Sequence, residues 1–146
     1  MSLDSLQKLR AQTVEALMME LAQITQTLAR SEERYRNIEA QLQTDSADYE
    51  RHTKQGLTIE ALLEWQARMD SQQTALRDAR RGVDQAASAW QHTKSLLVEA
   101  SQECKLLELV AEKRQEAKRA DMRRQEQRVT DDAASRRYSS GSESRS

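Results

Sequence analysis

The sequence predicts an all-α protein, a long antiparallel two-helix coiled-coil hairpin with a C-terminal single-helix extension. The composition argues against a bulky core, because the 146 residues include no Phe, 3% aromatic and 32% charged residues. Pro, the strongest helix breaker, is absent. Apolar residues recur in alternating steps of three and four on both sides of one turn signal. Such a chain can bury one narrow stripe along each helix.

The first helix is predicted over residues 2–52. Ser2 suits the N-cap and Asp4 suits the first turn, where a negative charge is favourable. The apolar stripe fills heptad positions a and d, and Ser31 and Asp45 interrupt it. The stripe consists of Val14, Leu17, Leu21, Ile24, Leu28, Tyr35, Ile38, Leu42 and Tyr49.

The turn is predicted over residues 53–58. Gly56 suits the left-handed conformation that ends a helix, and Thr58 suits the N-cap of the next helix. His52 falls in the last turn of the first helix, where a positive charge is favourable. A turn this short makes the two helices antiparallel neighbours.

The second helix is predicted over residues 59–132, on a seven-residue repeat that runs without a break. Its a positions are Leu62, Met69, Leu76, Val83, Trp90, Leu97, Cys104 and Ala111. Its d positions, most of them small, are Trp65, Gln72, Ala79, Ala86, Thr93, Ala100 and Leu107. A repeat of this length predicts a helix that packs along a partner helix.

The two stripes predict a pairing register about Leu57, in which the numbers of facing residues add up to about 114. Tyr49 then lies beside Trp65, and large residues mostly face small ones, as close packing requires. Four layers combine less well, so the seam is expected to be marginally stable. They pair Leu42 with Gln72, Asp45 with Met69, Ser31 with Val83 and Arg10 with Cys104.

The register leaves the stretch Glu112–Arg128 without a partner in the hairpin. It holds seven basic and four acidic residues, a pattern typical of a solvated single helix with acid–base pairs such as Asp121 with Arg124. The sequence then becomes Ser-rich, which predicts a disordered tail over residues 133–146 after a helical hairpin domain over residues 1–132.

No residue pattern supports catalysis, and no cofactor or metal is expected. His52 and His92 lie many turns apart, and a two-helix rod offers no pocket to perturb a carboxyl group. Gly56 is not part of a glycine-rich phosphate loop. Cys104 at an a position is expected to be a buried small hydrophobe rather than a reactive thiol.

Net charge and hydropathy also limit which classes of partner and which cellular location are expected. A net charge of −1 gives no general reason to bind nucleic acid or an anionic membrane. The start of the chain lacks a signal-peptide pattern and no segment is apolar enough to insert into a membrane, so a cytoplasmic protein is expected.

Trp65 and Trp90 admit two interpretations. Both fall on the predicted seam, and core packing is the simpler explanation. Leu63 widens the apolar face beside Leu62, Trp65 and Met69, beyond what one partner helix covers. That width favours a docking site for another protein at the start of the second helix.

Two stretches carry a family resemblance. Residues 62–69, Leu-Leu-Glu-Trp-Gln-Ala-Arg-Met after a Gly-containing turn, resemble the start of the second helix in the YscO/FliJ family of type III secretion and flagellar export, which includes HrpO-like proteins. Residues 106–116 and 124–126 resemble that family's charged C-terminal helix. The N-terminal start departs from the family, because it lacks the basic character common there.

The resemblance implies a cytoplasmic stalk or adaptor, peripheral at the inner-membrane export apparatus, that couples the export ATPase ring to the cytosolic domain of the export gate. Binding of secretion chaperones is a further implied role. Transferred to this sequence, the gate contact falls on Leu62, Trp65, Gln66 and Met69. The ATPase contact falls on the basic helix, with Lys113, Arg114, Lys118, Arg119, Arg123 and Arg124.

Two alternatives to the export role remain. One is a generic coiled-coil tether or scaffold without an export role. The other is a nucleic-acid-associated protein that uses the basic residues of the extension, although interleaved acids and the lack of base-stacking aromatics favour a protein partner.

Overall fold

The structure, a computed structural model, describes the backbone of residues 2–144 and the side chains of residues 2–141. Two helices follow one another, α1 over Leu3–Gln55 and α2 over Ile59–Ser144, and the described residues contain no strand. The two helices pack against each other as a hairpin. The predicted all-α fold class is confirmed.

Side-chain caps determine where each helix begins. The backbone N–H of Ser5 donates to the Ser2 hydroxyl at 3.2 Å, and the N–H of Ala61 donates to the Thr58 hydroxyl at 3.1 Å. Both predicted N-caps are confirmed. Gly56 has a φ of 97°, the left-handed conformation expected of the residue that follows a helix. The non-helical connection is therefore Gly56–Thr58, shorter than the predicted turn.

The chain divides into two compact units. The hairpin unit, Gln12–Ala100, contains the turn and the helical segments on either side of it. The terminal unit, Met1–Ala11 with Ser101–Ser146, is described over residues 2–11 and 101–144. In each unit, residues of α1 contact residues of α2.

The seam of the hairpin unit buries small residues most deeply. Ala79, Ala86, Thr93 and Ala100 are between 3% and 8% exposed, while the larger a residues of α2 are half-buried. Small side chains let the helix axes approach each other, so the larger residues cover the sides of the contact. The predicted stripe is confirmed, because each of its residues is buried or half-buried.

Contacts between the helices test the predicted register. The rings of Tyr49 and Trp65, predicted as one layer, have centroids 6.0 Å apart. In the terminal unit the Arg10 guanidinium lies 2.6 Å from the Glu103 carboxylate, one residue from the predicted partner Cys104. The register is thus confirmed to within about one residue at these layers.

A polar layer within the seam differs from the prediction. Asp45, 8% exposed, accepts a hydrogen bond from Gln41 at 3.1 Å and a second from Gln72 across the seam. The prediction paired Leu42 with Gln72 and Asp45 with Met69 as separate layers and did not include this hydrogen bond between Gln72 and Asp45. The physical reason is that a buried carboxylate needs donors, and the long Gln72 side chain reaches it from the adjacent layer.

The end of α2 also differs from the prediction. The helix continues to Ser144, whereas the sequence predicts a helix end at 132 and a disordered tail. Residues 133–144 contain no Pro and follow a helix already formed, so each added residue extends the hydrogen-bond ladder at little cost. Their high Ser content disfavours burial, and residues 133–141 are indeed exposed. Residues 145–146 of the predicted tail lie outside the described residues.

Candidate partner-binding surfaces

An aromatic group in the hairpin unit surrounds the Trp65 side chain. The Trp65 ring lies 6.0 Å from the Tyr49 ring and 5.5 Å from the His52 ring, centroid to centroid. The Arg68 guanidinium lies over Trp65, 5.1 Å from the ring centroid. We call Tyr49, His52, Trp65 and Arg68 the tip cluster. Its tilted ring pairs and its cation over an aromatic face are favourable arrangements, so Trp65 joins α1 to α2 beside the turn.

His52 is held against Trp65 by the backbone of its own helix. Its Nδ1 lies 2.7 Å from the carbonyl oxygen of Asp48, one turn earlier, and donates to it. The Asp48 carboxylate in turn forms an ion pair with Arg51. The predicted position of His52 in the last turn of α1 is confirmed, and the side chain takes part in packing there.

The four residues predicted to contact the export gate are not equally accessible. Leu62, Trp65 and Met69 are half-buried in the seam, and only Gln66 is exposed. Two neighbouring aliphatic side chains are more open, Ile59 at 78% and Leu63 at 59% exposed. Sequence analysis missed Ile59, although its spacing of four residues from Leu63 places both on one helix face. A partner at the start of α2 would meet this outer face first.

The basic residues of the second predicted contact are all exposed. Arg114 and Lys118 line a cleft of about 360 Å³ with Ser2, Leu3 and Asp4 of the first turn of α1. Farther along, the Arg124 guanidinium lies 3.8 Å from the Asp121 carboxylate, as predicted for a solvated helix. The exposed basic residues of this part of α2 are Lys113, Arg114, Lys118, Arg119, Arg123 and Arg124.

The cleft modifies one expectation for this region. The sequence predicts that the helix from Glu112 onward has no partner in the hairpin. In the structure Arg114, Gln115 and Lys118 line one cleft with the first residues of α1, so side chains beyond residue 112 still lie near α1. The reason is that the register only counts residues, whereas long side chains reach beyond the last paired layer.

Comparison with known protein families identifies the relationship. The family model described as "Flagellar FliJ protein" matches residues 1–143. The chain belongs to the FliJ family. No curated protein and no solved structure matches the chain. The resemblance to the type III secretion and flagellar export family is thereby confirmed over nearly the whole sequence. The FliJ family is a structural or adaptor family rather than a catalytic one.

Trp90 of this FliJ-family chain is half-buried and makes two contacts within the hairpin unit. Its indole N–H donates to the Thr25 hydroxyl at 3.0 Å, and the Lys94 ammonium lies 4.9 Å from its ring centroid. The hydrogen bond joins α2 to α1 across the seam. Core packing is therefore the better explanation of Trp90.

Three remaining features of this FliJ-family chain concern its cysteine, metal binding and membrane insertion. Cys104 is half-buried, less than the burial predicted for it, and it lines a cleft with Leu107 and Lys8. Across residues 2–141, no three His, Cys, Asp or Glu side chains gather closely enough to bind a metal ion. Between residues 2 and 144, neither helix has a stretch long and apolar enough to traverse a lipid bilayer.

Proposed function

We propose that this chain is a cytoplasmic stalk or adaptor of a flagellar or type III export apparatus, coupling the export ATPase ring to the cytosolic domain of the export gate. The observation that carries the proposal is the family match over residues 1–143 on a chain that forms a two-helix hairpin. A coiled-coil hairpin presents long helix faces, which suit the binding of partner proteins better than catalysis.

The gate contact is assigned to the start of α2. Gln66 and the neighbouring Leu63 are exposed, while Leu62, Trp65 and Met69 fix the helix behind them. An exposed aliphatic side chain beside a polar group is a common anchor for a partner surface. Because Trp65 and Met69 also hold the seam, the contact is best tested at Leu63 and Gln66.

The ATPase contact is assigned to the exposed basic surface of the terminal unit. Arg119 and Arg123 carry charge on a helix face that α1 does not cover. Exposed cations accelerate association with an acidic partner and give a salt-dependent affinity. Secretion chaperones are further candidate partners of the same protein.

The proposal is tested by complementing a strain that lacks the chain, with secretion of export substrates as the measurement. Leu63→Ser with Gln66→Ala should lower secretion while leaving helicity unchanged, and the matched exposed change Leu96→Ser should have no effect. Secretion at the wild-type level in the double variant would reject the gate contact.

The ATPase contact requires a separate measurement on purified proteins. Arg119→Glu with Arg123→Glu should abolish binding to the export ATPase. The control, Arg136→Glu with Arg137→Glu, makes the same charge change farther along α2 and should keep binding. Equal loss in both double variants would show that net charge alone controls binding. No binding by the unmodified chain to the export ATPase would reject the coupling role.

A further inference from the structure

One face of α2 in the terminal unit exposes three aliphatic side chains next to one another. Leu106 is 62% exposed, Leu109 is 53% exposed and Val110 is 41% exposed. Their spacing of three and four residues places them on a single helix face. No other stretch of five described residues exposes three large apolar side chains. We call Leu106, Leu109 and Val110 the aliphatic patch.

The seam does not explain the aliphatic patch. Cys104, Leu107 and Ala111 are the a and d residues of this stretch, and they are half-buried. Each exposed leucine in water forgoes roughly 1–2 kcal/mol of transfer free energy that burial would provide. A cluster of such side chains on a chain otherwise rich in charge marks an interaction surface.

The charges around the aliphatic patch are mainly positive. Lys105, Lys113 and Arg114 lie one turn from its members and are exposed. Two carboxylates also lie one turn from its members, those of Glu103 and Glu112, and that of Glu103 is compensated by Arg10 at 2.6 Å. Three cations therefore surround the patch with one uncompensated carboxylate.

We propose that the aliphatic patch docks an amphipathic helix of a partner protein, with apolar anchors three and four residues apart and carboxylates on either side of them. A helix laid along α2 would bury the three aliphatic side chains and pair its carboxylates with Lys105, Lys113 and Arg114. The proposal concerns a surface outside the gate contact, shares only Lys113 and Arg114 with the ATPase contact, and does not depend on the export role.

Charge and area favour this occupant over a second copy of the chain. A second copy would bring an aliphatic patch with the same positive surroundings, so the two rims would repel each other. Three partly exposed side chains also offer only a few hundred Å² per copy, less than the roughly 800 Å² that a stable partner interface uses on each side. A short acidic helix suits both the small area and the positive rim. The patch also lacks the aromatic residues typical of helices that lie on membranes.

The test measures binding of a fluorescent synthetic helix that carries Leu at the anchor positions and Glu on both sides, with a second peptide in which Lys replaces Glu. The full chain should bind the Glu peptide about tenfold more tightly than the Lys peptide at low salt. Leu106→Ser with Leu109→Ser should weaken binding of the Glu peptide by about tenfold without changing helicity. The matched exposed change Leu96→Ser with Val98→Ser should leave the affinity unchanged.

Several results would overturn the proposal. Equal affinity for the two peptides, or unchanged affinity in Leu106→Ser with Leu109→Ser, would remove the basis for an acidic helical partner. Sedimentation that shows a dimer of the unmodified chain and a monomer of the double variant would assign the aliphatic patch to a second copy. Flotation with vesicles of phosphatidylglycerol that is lost in the double variant would assign the patch to a lipid surface.

Discussion

The polar layer of Asp45 and Gln72 gives the sharpest test of how the seam is stabilised. Asp45 is the one buried charged side chain among the described residues, and both of its hydrogen-bond donors, Gln41 and Gln72, are neutral. The carbonyl oxygen of the Gln72 side chain is itself buried without a partner in the structure. A hydrogen bond to a charged group contributes about 1.5–3 kcal/mol, and an unpaired buried polar group costs a similar amount. The layer therefore depends on both partners being present.

Replacing only one partner should be worse than replacing both. Gln72→Leu removes a donor from the buried carboxylate, and Asp45→Leu leaves the Gln72 amide unpaired, so we expect each to lower the free energy of unfolding by about 1–2 kcal/mol. The double variant makes an apolar layer and should be at least as stable as the unmodified chain. The coupling energy between the two positions should then be about 2–3 kcal/mol.

Urea unfolding, followed by circular dichroism at the helical band, measures the free energy of unfolding of the unmodified chain, the two single variants and the double variant. Each single variant should also lower Tm by roughly 2–8 °C for a chain of this size. Gln66→Leu, an exposed position on α2, controls for the effect of adding a leucine. Additive effects of the two substitutions, within about 0.5 kcal/mol, would refute the reasoning that Asp45 and Gln72 act as a pair.

Four further predictions concern the connection, the seam and the end of α2. Gly56→Ala should lower the free energy of unfolding by about 1–2 kcal/mol in urea, because φ is 97° and the space around the residue is open, which leaves backbone strain as the sole cost. Thr58→Ala should cost about 1 kcal/mol in the same assay and Thr58→Ser almost nothing, because only the hydroxyl caps α2. Thr25→Val should cost about 1 kcal/mol and change the fluorescence of Trp90, whose indole N–H loses its acceptor. Amide hydrogens of residues 130–140 should exchange fastest within α2, since these residues are all exposed to solvent.

The hairpin was predictable from sequence because a heptad repeat leaves few alternatives. Ala79, Ala86 and Ala100 recur at one heptad position, and all three are buried. Gly56 and Thr58 together fix the turn, because one residue permits the left-handed backbone and the other caps the next helix. The end of α2 was less predictable. Composition measures whether a segment can be buried, whereas continuation of a helix depends on the turn before it.

The candidate surfaces were only partly predictable, for a different reason. The heptad pattern identifies Trp65 as a seam residue, but it does not reveal that His52 and Arg68 contact its ring. The a and d positions leave out Ile59 and Leu106, so the heptad pattern alone does not single them out, although the four-residue spacing of Ile59 and Leu63 does indicate a shared helix face. The contacts of His52 and Arg68 with Trp65 depend on side-chain length and conformation, which only the structure shows.

The modest burial in the seam has a consequence for how partners act on this chain. Ala79, Ala86, Thr93 and Ala100 are the buried seam residues of the hairpin unit besides Asp45, and all are small, so the apolar area withdrawn from water per residue is limited. A two-helix seam always leaves the sides of its larger residues in contact with solvent. A partner that binds only the paired helices adds RT ln(1 + [L]/Kd) to their stability, which reaches about 2.7 kcal/mol when the partner is at a hundred times its dissociation constant. This stabilisation is comparable with the coupling energy expected between Asp45 and Gln72. Binding at the start of α2 and ordering of the seam around Trp65 are therefore expected to be thermodynamically linked.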